Sequence, residues 1–173
     1  MLRRLIIIFL LTFTSIANCN AQIVALGASS TAGFGVGWQA AYPAQLEEIL
    51  RARGHPMSVR NEGISGDTTG GMLARLPSAV PPGTKIVILQ TGGNDYAKGM
   101  NMVEARANRA EIRRQLHARG IRIIEAGDLV ESIKRSDGMP PGGGGHPTAE
   151  GQRKIALQIA AQILPAGRVA AMR

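Results

Sequence analysis

The sequence predicts a single α/β domain whose parallel sheet is covered by helices on both faces. Three observations lead there. Short apolar runs alternate along the chain with longer stretches whose apolar residues recur three and four positions apart, the pattern of strand, helix and strand again. Glycine or proline closes most of these stretches, so each run has a defined end. The chain has 173 residues, 45% of them hydrophobic, which suits one sizeable core and no second domain. With 22 glycines and 3% aromatic residues, that core is expected to be packed by Leu, Ile, Val, Ala and Met.

The first stretch is read as an address rather than as part of the fold. Arg3 and Arg4 precede an apolar run at residues 5–11, which fades into small residues around Cys19-Asn20-Ala21. This is the layout of a secretory signal: positive, then apolar, then cleavable. The apolar part falls short of the roughly 20 residues needed to cross a bilayer. Residues 1–21 are therefore expected to be a signal peptide cleaved after Ala21, and residues 22–173 a mature domain that is exported, periplasmic or secreted. Acylation of Cys19 as a lipid anchor is a second reading, and a permanent membrane helix a third. Cys19 is the only cysteine, so the mature chain is expected to carry neither a disulfide nor a thiol nucleophile.

From Gln22 onward the elements follow in order. Ile23-Val24-Ala25-Leu26 is an apolar run ending at Gly27, the mark of a buried strand. Residues 44–53 form a helix, with Pro43 before its start, Leu46, Ile49 and Leu50 on one face, and Gly54 closing it. Met57-Ser58-Val59-Arg60 is the second strand. Residues 69–76 form a helix with Met72, Leu73 and Leu76 on one side and Pro77 at its end; Pro81-Pro82-Gly83 then turns the chain into a third strand at residues 85–90. Residues 103–119 make the longest helix, stopped by Gly120, and residues 121–125 a fourth strand. Residues 129–134 are expected to form one or two helical turns, and residues 148–164 a final helix. Phe34, Trp38 and Tyr42 read first as core packing and second as the lining of an acyl pocket.

Charge and spacing argue against several partners. The formal charge of +8 falls to +6 without Arg3 and Arg4, and the remaining arginines are spread along the chain. Spread positive charge favours solubility and a loose attraction to anionic membrane surfaces; with few aromatics to stack on bases, no nucleic-acid partner is expected. Glycines 33, 35 and 37 follow a strand, but Trp38 and Ala40 stand where a dinucleotide fingerprint needs its last glycine, and no lysine completes a phosphate loop. No cofactor is expected. His55, His117 and His146 lack metal-ligand spacing, so no metal is expected, and the first two read as solvated or capping residues near helix ends.

Four short islands carry the chemistry: Gly27-Ala28-Ser29-Ser30, Ser65-Gly66-Asp67, Gly92-Gly93-Asn94-Asp95 and His146-Pro147. They supply a serine, a glycine amide, a side-chain amide and an imidazole, the groups that acyl transfer requires. The first three come just after predicted strands, where open parallel sheets bind their ligands, and His146 lies in the loop before the last helix. Singly, each has a plain structural reading: a helix cap, a positive-φ turn, a loop tie and a loop histidine. In this order and setting they read as one site.

These blocks, above all Asn61-Glu62-Gly63-Ile64-Ser65-Gly66-Asp67-Thr68-Thr69 and Gly92-Gly93-Asn94-Asp95, resemble those of the SGNH hydrolases, the GDSL-type esterases and lipases. The resemblance runs over residues 22–164. It implies a flavodoxin-like three-layer α/β/α sandwich (the SGNH hydrolase fold) that hydrolyses carboxylic esters without a metal, of the lysophospholipase or arylesterase kind, on small ester or lipid substrates. Carried over by position, Ser29 is the nucleophile, His146 its base, and the backbone amides of Ser29 and Gly66 with the Asn94 side chain form the oxyanion hole. Three departures stand out. Ala28 occupies a position where the family usually has aspartate, removing an acceptor that would brace the loop. Gly143 stands where the family's aspartate lies three residues before the histidine. If residues 140–145 are an insertion, the remainder reads Asp137-Gly138-Met139-His146-Pro147, and Asp137 is expected to orient His146; the rival reading is a Ser29–His146 dyad. Finally, one strand rather than two lies between Asn94 and His146, so the sheet is expected to be one strand-helix unit short. A weakened or inactive relative that binds acyl or glycan ligands is the alternative function.

Overall fold

The computed structural model describes residues 22–137 and 145–164. The signal-peptide reading of residues 1–21, the cleavage or acylation readings there, and most of the expected insertion lie outside these residues. Among the described residues the chain runs β1 (Ile23–Gly27), α1 (Ser29–Ala32), α2 (Tyr42–Ala52), β2 (Val59–Gly63), α3 (Thr69–Ala74), α4 (Leu76–Ala79), β3 (Ile86–Leu89), α5 (Asn94–Ala97), α6 (Met102–Ala118), β4 (Arg122–Glu125), α7 (Gly127–Asp137) and α8 (Ala149–Ile163). No helix among them is long and apolar enough to cross a membrane.

The strands form one parallel sheet in the order β2-β1-β3-β4. β1 is central because all five of its residues are buried, with Ile23 set against Val59 on one side and Ile86 on the other. Strand alternation divides its side chains between two cores. Ile23, Ala25, Ile86 and Ile88 pack with Leu46 and Leu50 of α2, Val130 of α7, and Ile155 and Ile159 of α8. Val24, Leu26, Val87 and Leu89 pack on the opposite face with Met72 of α3, Leu76 of α4, and Ile112 and Leu116 of α6. The result is the three-layer α/β/α sandwich, each fully buried large side chain contributing at most about 3 kcal/mol relative to exposure. Among the described residues β4 is the strand between Asn94 and His146, and the sheet is four strands wide.

Three elements and one set of side chains differ from expectation, each for a physical reason. β2 lies two residues later than residues 57–60, because its place is set by pairing with β1, from Ile23 with Val59 to Gly27 with Gly63, and not by its own half-buried, polar side chains. The Glu47 carboxylate accepts the Val59 N–H at 2.8 Å and so fixes where the strand begins. The helix expected at residues 69–76 is two: α3 ends at Ala74 with Arg75 as its C-cap, and Pro77 sits in the first turn of α4, where its missing N–H costs nothing. α7 is eleven residues long, since Asp128 in its first turn and Lys134 and Arg135 in its last complement the helix dipole beyond its short apolar middle. Of the three aromatics after Ser29, only Tyr42 is core; Phe34 is 49% exposed and Trp38 68%.

Candidate active site

The carboxyl ends of β1 and β3 meet where the sheet's order reverses, the usual place for a ligand site in such folds. Ser29 sits there, opening the single turn α1. A turn this short cannot hold itself, and two buried glutamines hold it. Gln90, just after β3, accepts hydrogen bonds from the Ala28 N–H at 3.0 Å and the Thr31 hydroxyl at 3.1 Å. Since the Thr31 hydrogen goes to Gln90, the Tyr42 hydroxyl 3.2 Å away is the donor to Thr31. Burial pushes the Tyr42 phenol far above its ordinary value and keeps it neutral for that role. From the other side, Gln152 of α8 donates to the Ser30 carbonyl and accepts from the Tyr42 N–H, both at 2.9 Å.

His146 approaches from the loop before α8, and its Nε2 lies 2.7 Å from Ser29 Oγ. With the ring proton on Nδ1, that nitrogen accepts the serine proton. The Phe34 ring lies 4.7 Å from the imidazole, centroid to centroid, tilted by 41°. It covers one side of the base while remaining half exposed.

The remaining donors come from the loops after β2 and β3. Gly66 has φ +78°, in the left-handed region that favours glycine, and its turn is anchored by the Ile64 N–H on the Gly27 carbonyl at 3.1 Å. Asn94 opens α5, and its side-chain amide donates to the Asp67 carbonyl at 2.8 Å, joining the third island to the second. That bond uses one of the amide's two hydrogens. The buried Asp95 carboxylate accepts from the Thr69 N–H at 3.0 Å and the Thr69 hydroxyl at 2.6 Å, fixing the same junction. Beneath it, the Arg75 guanidinium donates to the Asp67 carboxylate at 2.8 Å, the Glu62 carbonyl at 2.9 Å and the Gly27 carbonyl at 3.3 Å. One side chain thus ties the loop after β2 to the ends of β2 and β1.

Asp137 ends α7 and does its work at the start of α8. Its carboxylate accepts from the Thr148 hydroxyl at 3.2 Å and from Lys154 at 2.8 Å, and its carbonyl accepts the Thr148 N–H at 3.2 Å. The Lys154 ammonium holds its carboxyl below the usual range. The structure therefore brings Ser29, His146 and Asn94 to one cavity of about 230 Å³, with the Gly66 loop bonded to Asn94's anchor, and joins Asp137 to the residue two positions after His146. A larger groove of about 400 Å³ beside Trp38 and α2 includes neither Ser29 nor His146 in its lining. Among the described residues, no group of three or more His, Cys, Asp or Glu is set to hold a metal ion.

Residues 25–164 match the GDSL-like lipase/acylhydrolase family. The chain belongs to this family. It is 32% identical over 100 residues to the arylesterase of Vibrio mimicus, covering 57% of this chain and 50% of that protein. It is 31% identical over 106 residues to esterase TesA of Pseudomonas aeruginosa, covering 61% and 53%. The chain thus spans about half the length of these relatives. The solved structure of AlinE4, an SGNH-hydrolase family esterase, is 30% identical, covers 82% of this chain and 70% of that one, and superposes with a TM-score of 0.54.

Against the SGNH pattern, the brace that Ala28 cannot supply comes from Gln90 and Gln152. Sequence reasoning passed over both, although each left a signal. Gln90 is the polar residue that ends the apolar run Ile86–Leu89, and Gln152 interrupts the buried stripe of α8 that includes Ile155, Ala156 and Ile159. Arg75 left none, because its partners lie in three separate segments.

Proposed function

We propose that this protein hydrolyses carboxylic esters through an acyl-enzyme on Ser29. The observation that carries the reading is the 2.7 Å approach of His146 Nε2 to Ser29 Oγ in the cavity that Asn94 also lines. Ser29 Oγ attacks the ester carbonyl as its proton passes to Nε2, and the carbonyl oxygen gains a negative charge. The backbone N–H groups of Ser29 and Gly66 and the Asn94 amide receive that charge, each such donor contributing roughly 3 kcal/mol to the transition state. Collapse expels the alcohol, which takes the proton from His146. Water then attacks the acyl group by the same route in reverse, with His146 again the base, and frees Ser29.

In this reading Asp137 positions the segment that carries His146 through its bonds to Thr148, while Ser29 and His146 do the chemistry. Residues 1–21 export the protein, and its spread positive charge gives a loose attraction to anionic membrane surfaces. The names of the relatives, arylesterase and esterase, support the ester substrate. Nothing in the site favours the inactive, ligand-binding alternative. The test is hydrolysis of p-nitrophenyl acetate by the protein and by a Ser29→Ala form. A Ser29→Ala rate at the uncatalysed background is expected, and equal rates, or none in either, would sink the reading.

A further inference from the structure

The catalytic cavity has one polar wall that the chemistry above does not use. Glu131 and Lys134 stand one turn apart on α7 and both line the cavity that holds Ser29 and His146. Their side chains are joined at 2.9 Å and remain 43% and 26% exposed, so they keep contact with water. The Glu131 carboxylate lies 3.9 Å from where a Cβ on Gly92 would be, which sets it directly beside the loop after β3. Glycines 92 and 93 and Ala97 leave the rest of that side without bulk.

Two physical facts decide what such a wall accepts. An apolar group laid against a half-hydrated ion pair strips its water and returns no hydrogen bonds, which penalises each polar group left unpaired. A hydroxyl exchanges with that water one for one, since it donates to the carboxylate and accepts from the ammonium. The pair is neutral as a unit, so it has no net charge with which to attract an ion. At about 230 Å³ the cavity is smaller than the roughly 300–1,000 Å³ typical of drug-sized ligands, which favours a small group. His146, which in the proposed reaction hands its proton to the departing oxygen, lines the same cavity as this wall.

From these observations we infer that the site selects esters whose alcohol part carries neighbouring free hydroxyls, as in glycerol or a sugar, and that Glu131 and Lys134 are the residues that read them. The inference rests on the Ser29 ester reading, and the experiment separates the two. kcat/KM is measured for glycerol monoacetate, a monoacetylated methyl glycoside and propyl acetate, with the full chain and with a Glu131→Leu/Lys134→Met double variant; Glu131→Gln serves as a milder second variant should the double one fail to fold. At least a tenfold preference for one or both hydroxylated acetates over propyl acetate is expected, falling to near parity in the double variant and by several-fold in Glu131→Gln. The two hydroxylated arms distinguish a glycerol from a sugar source. Equal use of all three acetates by the unaltered protein overturns the substrate class, and a preference that survives both variants overturns the assignment to this wall. If Ser29→Ala is as active as the parent on every acetate, it is the ester reading itself that fails.

Discussion

A serine hydroxyl becomes a nucleophile only through its neighbours, and here those neighbours are fixed in ways a substitution can test. Asn94 has one amide hydrogen on the Asp67 carbonyl and a second for the charge that develops on the substrate. Replacing it with Ala is expected to lower kcat about 100- to 1,000-fold with little change in KM, because the lost bond forms only in the transition state. Steady-state kinetics on p-nitrophenyl acetate read both constants. Asp137 makes a different case. Its carboxylate is engaged by Thr148 and Lys154, so Asp137→Asn is expected to lower kcat less than about tenfold, whereas loss of a carboxylate that directly holds the catalytic imidazole costs on the order of 10,000-fold. A loss of that larger size would return Asp137 to the histidine as its direct partner.

At the level of elements, α8 is held at its start by a cap that also serves the site. The Thr148 oxygen accepts the Gly151 N–H at 3.0 Å while its hydrogen goes to Asp137 at 3.2 Å, so one hydroxyl both starts the helix and ties it to α7. Thr148→Ala is expected to cost about 1 kcal/mol of stability, seen as a fall in Tm of roughly 2–4 °C. An unchanged Tm would mean that water replaces the cap at no cost. The same helix shows what the sequence made legible. Thr148 and Leu164 were read as its first and last residues and are its two caps, because capping chemistry is local. β1 and β3 were legible as apolar runs because both faces of a central parallel strand are buried. β2 was misplaced because an edge strand of polar residues takes its position from a partner 36 residues away. α1 and α5 escaped notice because four residues are too few for a helical period. The four islands were legible as motifs, whereas the glutamines that brace them act across 62 and 122 residues, a distance no local pattern spans.

For the molecule as a whole, stability is tied to the protonation of a phenol that reaches from α2 to the turn that Ser29 opens. Tyr42 is fully buried, and burial raises its folded-state pKa well above the unfolded value of 10.0. Below that unfolded value both states are neutral and the contribution is complete. Above it the unfolded phenol ionises while the folded one does not, so stability is lost progressively as pH rises toward the folded value. The urea midpoint is therefore expected to fall from about pH 10 upward, and to fall less in Tyr42→Phe, which starts from a lower stability. A parent midpoint that stays flat through this range would contradict the burial of the hydroxyl. The long reach of the site's bonds has a further consequence, in time rather than in energy. Ser29 is made long before His146, its base in the proposed reaction, and its brace Gln152, since His146 follows it by 117 residues. Until those two residues have been made, the serine is an ordinary hydroxyl. On the proposed mechanism it becomes a nucleophile only when α8 docks, so the growing polypeptide cannot attack an ester before that helix has been made.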